Sequence, residues 1–140
     1  MRLYWPGPTR LVFAREGVAH YAKLLRGLRP LDVVTVKESK AGALADRIAA
    51  ESVWVALDAG GEPWDSRTWA DRLRAWESSG LRAAAFTIGG PDGLGDALLA
   101  KASARVSFGA ATFPHDLARV MLVEQLYRGF SILDGLPYHR

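Results

Sequence analysis

The chain has 140 residues, of which 49% are hydrophobic and 24% are charged, a balance typical of one folded domain with a modest core rather than of a disordered chain. No apolar run approaches the roughly 18–20 residues that a membrane helix needs, and the N-terminus lacks the pattern of a secretion signal, so we expect a cytoplasmic protein. The absence of cysteine excludes disulfides and cysteine nucleophiles, and His20, His115 and His139 are not spaced as metal ligands, so we expect no metal.

The net charge of +3 is distributed unevenly along the chain. Residues 1–40 carry eight lysines and arginines against three acidic residues, whereas residues 41–140 carry ten against twelve. A basic N-terminal third is typical of proteins that bind a polyanion such as RNA. A solvated surface that happens to be basic explains the same counts, and charge alone does not separate the two interpretations.

Short β-branched or apolar runs alternate with segments of helical periodicity along the chain. In chain order, the pattern predicts a strand over 2–5, a helix over 14–28, a strand over 31–36, a helix over 41–50, a strand over 53–57, a helix over 66–79, a strand over 82–88, a helix over 95–103, a strand over 105–108 and a helix over 114–133. This alternation predicts an α/β fold with a mostly parallel sheet flanked by helices on both faces.

Residues at the predicted boundaries support several of these elements. Asp65 or Ser66 can cap the helix that follows, and Gly80 can end it. Pro114 suits the first turn of the last helix. We find no linker or internal repeat in the sequence, so the chain is interpreted as a single domain over residues 1–140.

Three predicted loops follow strands at the edge where such sheets bind ligands, namely residues 57–61, 89–93 and 108–113. They are rich in small residues, which allow a ligand to approach free backbone N–H and C=O groups. Such a site can recognise an adenine edge and a methionine group. The spacing of the phosphate-binding glycine motifs is absent. The glycines also fit a simpler interpretation, in which they only form tight turns.

The last predicted helix carries several candidate functional residues. His115 at its start could act on a bound base or could merely satisfy the helix end. Arg119 and Arg128 lie further along, and a solvated face or an ion pair with Glu124 would explain them equally well. The helix is apolar over more than one stripe, which indicates burial on two sides. A homodimer interface and one deep core remain alternative explanations.

Several motifs in the second half of the chain occur together in one known family. They are VALD at 55–58, PW at 63–64, IGGPDGL at 88–94, SFGAATFPH at 107–115, RVMLVEQLYR at 119–128 and PYHR at 137–140. With these motifs in this order, residues 52–140 closely resemble the RlmH family of SPOUT-class RNA methyltransferases.

The resemblance implies a SPOUT-type fold with a deep trefoil knot near the C-terminus, a rare exception to the usual connection rules. It also implies a homodimer and S-adenosylmethionine as cofactor. The cofactor-binding positions that it implies are Leu57, Gly89, Phe108, Gly109, Ala110, Ala111, Thr112 and Phe113.

The reaction implied by the resemblance is methylation of ring nitrogen 3 of pseudouridine 1915 in 23S rRNA, with the assembled ribosome as substrate. We expect the target base to be surrounded by His115, Arg119, Tyr138, His139 and Arg140. His139 or His115 is the better candidate for proton transfer, because histidine titrates near neutrality.

The N-terminal third departs from the family pattern, since Trp5-Pro6-Gly7-Pro8 stands where relatives have a Val-Gly-Lys-like turn. Two other functions stay open on the sequence. One is a non-catalytic α/β module that binds nucleotide or RNA during ribosome assembly. The other is a SPOUT methyltransferase with a different target, such as transfer RNA.

Overall fold

The computed structural model of the protein describes residues 1–36, 41–49, 51–80, 83–90 and 93–139, and the side chains of 41–43, 49 and 139 lie outside this description. In chain order the described elements are β1 (Arg2–Pro6), α1 (Val12–Arg26), β2 (Asp32–Val36), α2 (Ala41–Ala49), β3 (Val53–Pro63), α3 (Ser66–Ser78), β4 (Ala84–Ile88), α4 (Asp96–Leu99), β5 (Ala104–Ser107), α5 (His115–Leu133) and a terminal 3₁₀ turn (Pro137–His139).

The strands form one sheet in the order β2-β1-β4-β3-β5. Within the described residues, each pairing between these strands is parallel. Parallel neighbours require long crossovers, which the helices provide. The prediction of a mostly parallel α/β sheet is therefore confirmed.

Side chains alternate between the two faces of the sheet, as the period of two in a strand requires. Leu3, Val55 and Phe86 pack into a core with α1, α3 and α5. Their neighbours Tyr4 and Trp54 pack on the opposite face with α2 and α4. The sheet is thus covered by helices on both faces, as the alternation of elements predicts.

Strand β3 is longer than the sequence indicates. It continues from Val53 to Pro63, so the residues predicted as the loop 57–61 belong to an irregular part of this strand. The pairing with β5 shifts register between Leu57 and Glu62, which leaves the intervening residues looped out. Gly60 and Gly61 suggested a turn from the sequence, but glycine within a strand also marks a bulge.

Helix α4 is shorter than predicted and spans Asp96–Leu99 instead of 95–103. The backbone N–H of Ser103 donates to the carbonyl oxygen of Trp54 at 2.8 Å, and the Ser103 hydroxyl accepts from the Trp54 N–H at 3.1 Å. These bonds draw the chain onto β3 and end the helical conformation early. Residues 50 and 82, predicted as parts of elements, lie outside the described residues.

Helices α1 and α5 lie side by side on one face and run in the same direction. A Cβ atom on Gly17 of α1 would stand 3.0 Å from a methyl group of Val120 of α5, so the helices pack closely. At their far ends, Arg29 donates to Asp134 at 3.0 Å. At their near ends, Asp116 of α5 accepts from the backbone just before α1. This pairing brings the start of α1 to the sheet edge where β4 and β5 end.

Candidate functional site

The ends of β4 and β5 and the irregular part of β3 form a cleft at one edge of the sheet. Strands β4 and β5 pair with β3 on its two sides, and both pairings are parallel. The segments that follow β4 and β5 therefore emerge side by side. The start of α5 closes the cleft on its remaining side. We call this feature the three-strand cleft. Its volume is about 240 Å³.

The structure brings the three loops selected from the sequence together at this cleft. Seven of the eight predicted cofactor-binding residues line it, namely Leu57, Gly89, Phe108, Gly109, Ala111, Thr112 and Phe113. The eighth, Ala110, is exposed in the same loop and is not among the lining residues. Residues as distant in sequence as Leu57 and Phe113 thus line one cleft.

Gly89 follows β4 and makes the tightest backbone approach in the cleft. A Cβ atom on this residue would stand 2.5 Å from the carbonyl carbon of Gly93, far inside van der Waals contact. Gly93 has a φ of +73°, and its N–H donates to the carbonyl oxygen of Gly90 at 2.9 Å. Since such a φ favours glycine, the turn depends on both glycines. Pro91 and Asp92 lie outside the described residues.

The opposite wall depends on a close approach between β3 and β5. A Cβ atom on Gly61 would stand 2.6 Å from the backbone nitrogen of Val106. Beside it, Arg105 forms an ion pair with Asp58, and its Nε donates to Oδ2 at 3.1 Å. Asp58 lines the cleft, so this pair holds a carboxylate at the cleft wall. The sequence signal for the site was the run of small residues, although the predicted loop is a bulged strand.

His115 is the first residue of α5 and lies on the cleft wall near Ala118. It follows Pro114, which occupies the N-cap position instead of the first helical position. The imidazole is half-buried. A histidine at this place can exchange a proton with a ligand bound in the cleft, because its two ring nitrogens serve as donor or acceptor.

A larger cavity of about 890 Å³ lies next to the three-strand cleft, and Ser107, Phe108 and Gly109 line both. Tyr138 of the terminal turn lines this larger cavity together with Tyr21 of α1. The tail therefore folds back over the face made by α1 and α5. The cleft and the cavity are separated by one short loop.

Hydrogen bonds and ring contacts anchor the tail at this cavity. The Tyr138 hydroxyl donates to Glu124 Oε1 at 3.0 Å and lies 3.1 Å from the Tyr21 hydroxyl. The Arg128 guanidinium stands over the Tyr138 ring at 4.8 Å and donates to Glu124 at 2.6 Å. The Glu124–Arg128 pair considered from the sequence is therefore present. Burial, then the bonds to Tyr21 and Glu124, raise the pKa of Tyr138 above its ordinary value.

Of the residues predicted to surround a target base, His115 and Tyr138 lie on either side of this shared loop. Arg119, one helical turn after His115, lines an adjacent groove, is only 3% exposed and donates to the carbonyl oxygen of Pro6 at 2.6 Å. The His139 side chain and the whole of Arg140 lie outside the described residues.

The sequence did not predict a role at the site for two residues, Tyr21 and Asp116. Tyr21 occupies a helical position that is indistinguishable from an ordinary core position, and the folded tail gives its hydroxyl a polar partner. Asp116 binds the backbone of residues 10 and 11, more than 100 positions away. No local sequence pattern signals such a contact, because it depends on how two distant helices pack.

In the parts of the chain that the structure describes, no three His, Asp or Glu side chains are grouped as a metal site. None of the described helices combines the length and the apolar character that crossing a bilayer requires.

With this geometry in view, comparison with known proteins gives a consistent result. The family model described as "Predicted SPOUT methyltransferase" matches residues 1–139. A protein from Xanthobacter autotrophicus named ribosomal RNA large subunit methyltransferase H is 43% identical over 143 residues, covering 90% of this chain and 89% of that protein. A protein of the same name from Dinoroseobacter shibae is 48% identical over 121 residues, covering 81% and 78%.

Solved structures share the fold at much lower identity. A probable methyltransferase from Bordetella pertussis superposes with a TM-score of 0.63 at 16% identity and covers 92% of this chain and 95% of its own. The methyltransferase AviRb from Streptomyces viridochromogenes, solved with the cofactor AdoMet, gives a TM-score of 0.53 at 16% identity and covers 91% and 57%.

The full-length family match and the high identity to these relatives agree with the motifs and with the sheet order. The chain therefore belongs to the RlmH family of SPOUT RNA methyltransferases.

Proposed function

We propose that the protein transfers a methyl group from S-adenosylmethionine to ring nitrogen 3 of pseudouridine 1915 of 23S rRNA in the assembled ribosome. The observation that carries this proposal is the convergence of three small-residue segments on one cleft beside His115. The relatives named ribosomal RNA large subunit methyltransferase H support the substrate class. The AdoMet complex of AviRb supports the cofactor.

The three-strand cleft suits S-adenosylmethionine. At Gly89 any side chain would collide with the Gly93 backbone, so this position presents only backbone atoms to the cleft. Backbone N–H and C=O groups along such a turn can bind an adenine edge. We assign cofactor binding to Leu57, Gly89, Phe108, Gly109, Ala110, Ala111, Thr112 and Phe113. When bound, the cofactor supplies an electrophilic methyl group.

The acceptor nitrogen is a weakly acidic imide that must lose its proton during transfer. His115 lines the cleft and can accept that proton. His139 is the second candidate, since it adjoins Tyr138 in the tail. We place the target base near the loop shared by the cleft and the larger cavity, beside Tyr138, and we assign a contact with it to Arg140. Positioning of the base would supply much of the rate acceleration.

A homodimer would complete this site, and the surface of α1 supports it. Leu11, Val12 and Phe13 are consecutive, large and apolar, and all three are exposed. Such a contiguous patch is typical of an interface. On α5, Leu117, Met121 and Tyr127 are half-buried, whereas Leu122, Val123, Leu126 and Phe130 are in the core of the chain itself. We assign the half-buried stripe of this helix to the dimer interface and the buried stripe to the core of the chain.

We further propose that the whole chain forms one SPOUT domain, with its C-terminal segment threaded as a trefoil knot. Membership of the family supports this threading. We also propose that the protein acts in the cytoplasm, where ribosomes are its substrate. Refolding that is much slower than expected for a chain of this length would be consistent with a knot.

The decisive experiment is mass spectrometry of ribosomal RNA from a strain that lacks the gene and from the same strain complemented with it. We expect the methylated pseudouridine to vanish and return. Loss of a methyl group from transfer RNA instead would redirect the proposal to another substrate. Unchanged RNA, together with calorimetry that shows no S-adenosylmethionine binding, would favour the non-catalytic module.

A truncated protein tests the role of the C-terminal tail. Deleting residues 138–140 should abolish methylation while calorimetry shows largely intact binding of S-adenosylmethionine, because the cleft lies on the other side of the shared loop. Full activity of this truncated protein would remove Tyr138, His139 and Arg140 from the mechanism.

A further inference from the structure

A groove of about 450 Å³ lies beside the three-strand cleft and shares Gly90 and His115 with it. One wall is the connection between β1 and α1, including Pro8 and Arg10, and the other is the first turn of α5. We call it the flanking groove. Whatever occupies it lies directly next to the proposed site of methyl transfer.

Two charged residues of α5 hold the walls of this groove together. Asp116 Oδ2 accepts hydrogen bonds from the backbone N–H groups of Arg10 and Leu11, both at 2.8 Å. The other oxygen, Oδ1, accepts from Arg119 Nη1 at 3.2 Å. The N-cap residue of α1 is Leu11, whose side chain cannot accept a hydrogen bond. Asp116 therefore stabilises this end of α1 from a different helix.

Arg119 extends the same network to the beginning of the connection. Its Nη2 donates to the carbonyl oxygen of Pro6 at 2.6 Å, and its Nη1 donates to the Thr9 hydroxyl at 3.1 Å. Its guanidinium stands 5.3 Å from the centre of the Trp5 ring. The Arg119 side chain is only 3% exposed. It therefore holds the backbone of the β1–α1 connection in place and is shielded from solvent.

The chemistry of the flanking groove fits a nucleotide of an RNA strand. Proline rings line much of it and offer apolar contact to a ribose or a base. Arg10 lies on its exposed rim, in the N-terminal third of the chain, where basic residues outnumber acidic ones eight to three. Cationic groups beside apolar walls are what a sugar-phosphate backbone requires.

We infer that Asp116 and Arg119 are positioning residues, which hold the β1–α1 connection against the first turn of α5 so that the flanking groove binds the RNA nucleotide adjacent to the methylated base. This inference rests on the proposed function. The segment Trp5-Pro6-Gly7-Pro8, which departs from the family pattern, then contributes to substrate binding. S-adenosylmethionine binds in the three-strand cleft, as proposed above.

The test compares Asp116→Ala with Asp134→Ala, using ribosomes from a strain that lacks the modification. Both aspartates are on or next to α5 and bind residues that flank α1, but Asp134 binds Arg29 about 27 Å away at the other end of the helix. We expect Asp116→Ala to raise KM for ribosomes about tenfold, as loss of a charge-assisted contact would. Its kcat and its Kd for S-adenosylmethionine should stay within about twofold of wild type. Asp134→Ala should lower Tm without changing KM.

Asp116→Asn provides a milder second variant in case the alanine protein folds poorly. The asparagine oxygen can still accept from Arg10 and Leu11, but its amide nitrogen would face the Arg119 donor, so we expect an intermediate KM.

Equal KM values for Asp116→Ala and Asp134→Ala would show that Asp116 acts only on stability and would overturn the inference. A fall in donor affinity, or in kcat with KM unchanged, would overturn it as well. A wild-type protein that does not methylate ribosomes overturns this inference and the proposed function together, whereas an active wild type with unchanged KM in Asp116→Ala overturns this inference alone.

Discussion

The Cα atom of Gly89 lies so close to the backbone of Gly93 that a methyl group attached to it would stand 2.5 Å from the Gly93 carbonyl carbon. The obstacle is backbone, which cannot rotate away as a side chain can. The turn that lines the three-strand cleft is therefore compatible with glycine at this position and with little else.

We predict that Gly89→Ala weakens S-adenosylmethionine binding by at least about tenfold, because the turn must open, and costs about 1–3 kcal/mol of unfolding free energy, as overpacking usually does. Calorimetry and urea denaturation measure the two effects. Gly27→Ala is the matched control, since Gly27 has a helical φ of −69° at the end of α1. Donor affinity equal to that of wild type in Gly89→Ala would remove this turn from the cofactor site.

A buried hydrogen bond joins two strands behind the cleft. The Trp54 indole N–H donates to the Thr87 hydroxyl at 2.9 Å, and both side chains are buried. Thr87→Val keeps the shape but removes the acceptor, so we expect a loss of about 1–3 kcal/mol of unfolding free energy. Urea denaturation followed by circular dichroism measures this loss. Thr87→Ser retains the hydroxyl and should lose less unfolding free energy than Thr87→Val. Equal losses in the two variants would contradict the role of this hydrogen bond.

Tyr138 should ionise late in a pH titration of the folded protein. Burial disfavours its phenolate, and the bonds with Tyr21 and Glu124 act in the same direction, so its pKa is raised. A pKa that is higher in the folded than in the unfolded chain stabilises the fold fully below the ordinary value of about 10, and this contribution is lost as pH rises through the folded pKa. The phenolate absorbance of wild type and Tyr138→Phe measures the step.

The pKa of Tyr4 is raised too, chiefly by burial, so Tyr138→Phe should remove one late step and leave that of Tyr4. Glu124→Gln should lower the pKa of Tyr138 only in part, because burial still raises it. A Tyr138 step at the ordinary pKa would mean that the tail is undocked in solution.

The exposed apolar start of α1 predicts the behaviour of the protein in solution. Phe13 is 56% exposed beside Leu11 and Val12. If this patch is the dimer interface, Phe13→Glu should convert the dimer into a folded monomer, because burying an unpaired carboxylate is costly. Sedimentation velocity measures this change. Lys23→Glu, an exposed charge change later in the same helix, should leave the dimer intact, and a dimeric Phe13→Glu protein would place the interface elsewhere.

Prediction from the sequence succeeded where the physics is local. The alternation of apolar runs with helical periodicity is enough to predict a parallel sheet covered on both faces. Asp65 caps α3 by accepting from the Thr68 N–H at 2.7 Å, and Gly80, with a φ of +69°, follows the end of that helix, as their residue types indicate. These features depend on a few neighbouring residues and their conformational preferences.

Prediction failed where strands meet. Gly60 and Gly61 were interpreted as a loop, yet they allow β3 to bulge and continue against β5. Helix α4 ends early because Ser103 finds partners on Trp54, which is 49 positions away. A single sequence contains the preference of each residue but not the competing partner that overrides it.

By itself, the sequence determined the order of the strands and helices, the small residues that follow β4 and β5, and the family that the motifs resemble. Only the tertiary structure decided that Arg119 is buried against Pro6, that Asp116 holds the start of α1, and that Tyr138 lies between Tyr21 and Glu124. The physical reason is range: backbone preferences act over a few residues, whereas the partner of a buried charge or hydroxyl is set by the packing of elements distant in the chain.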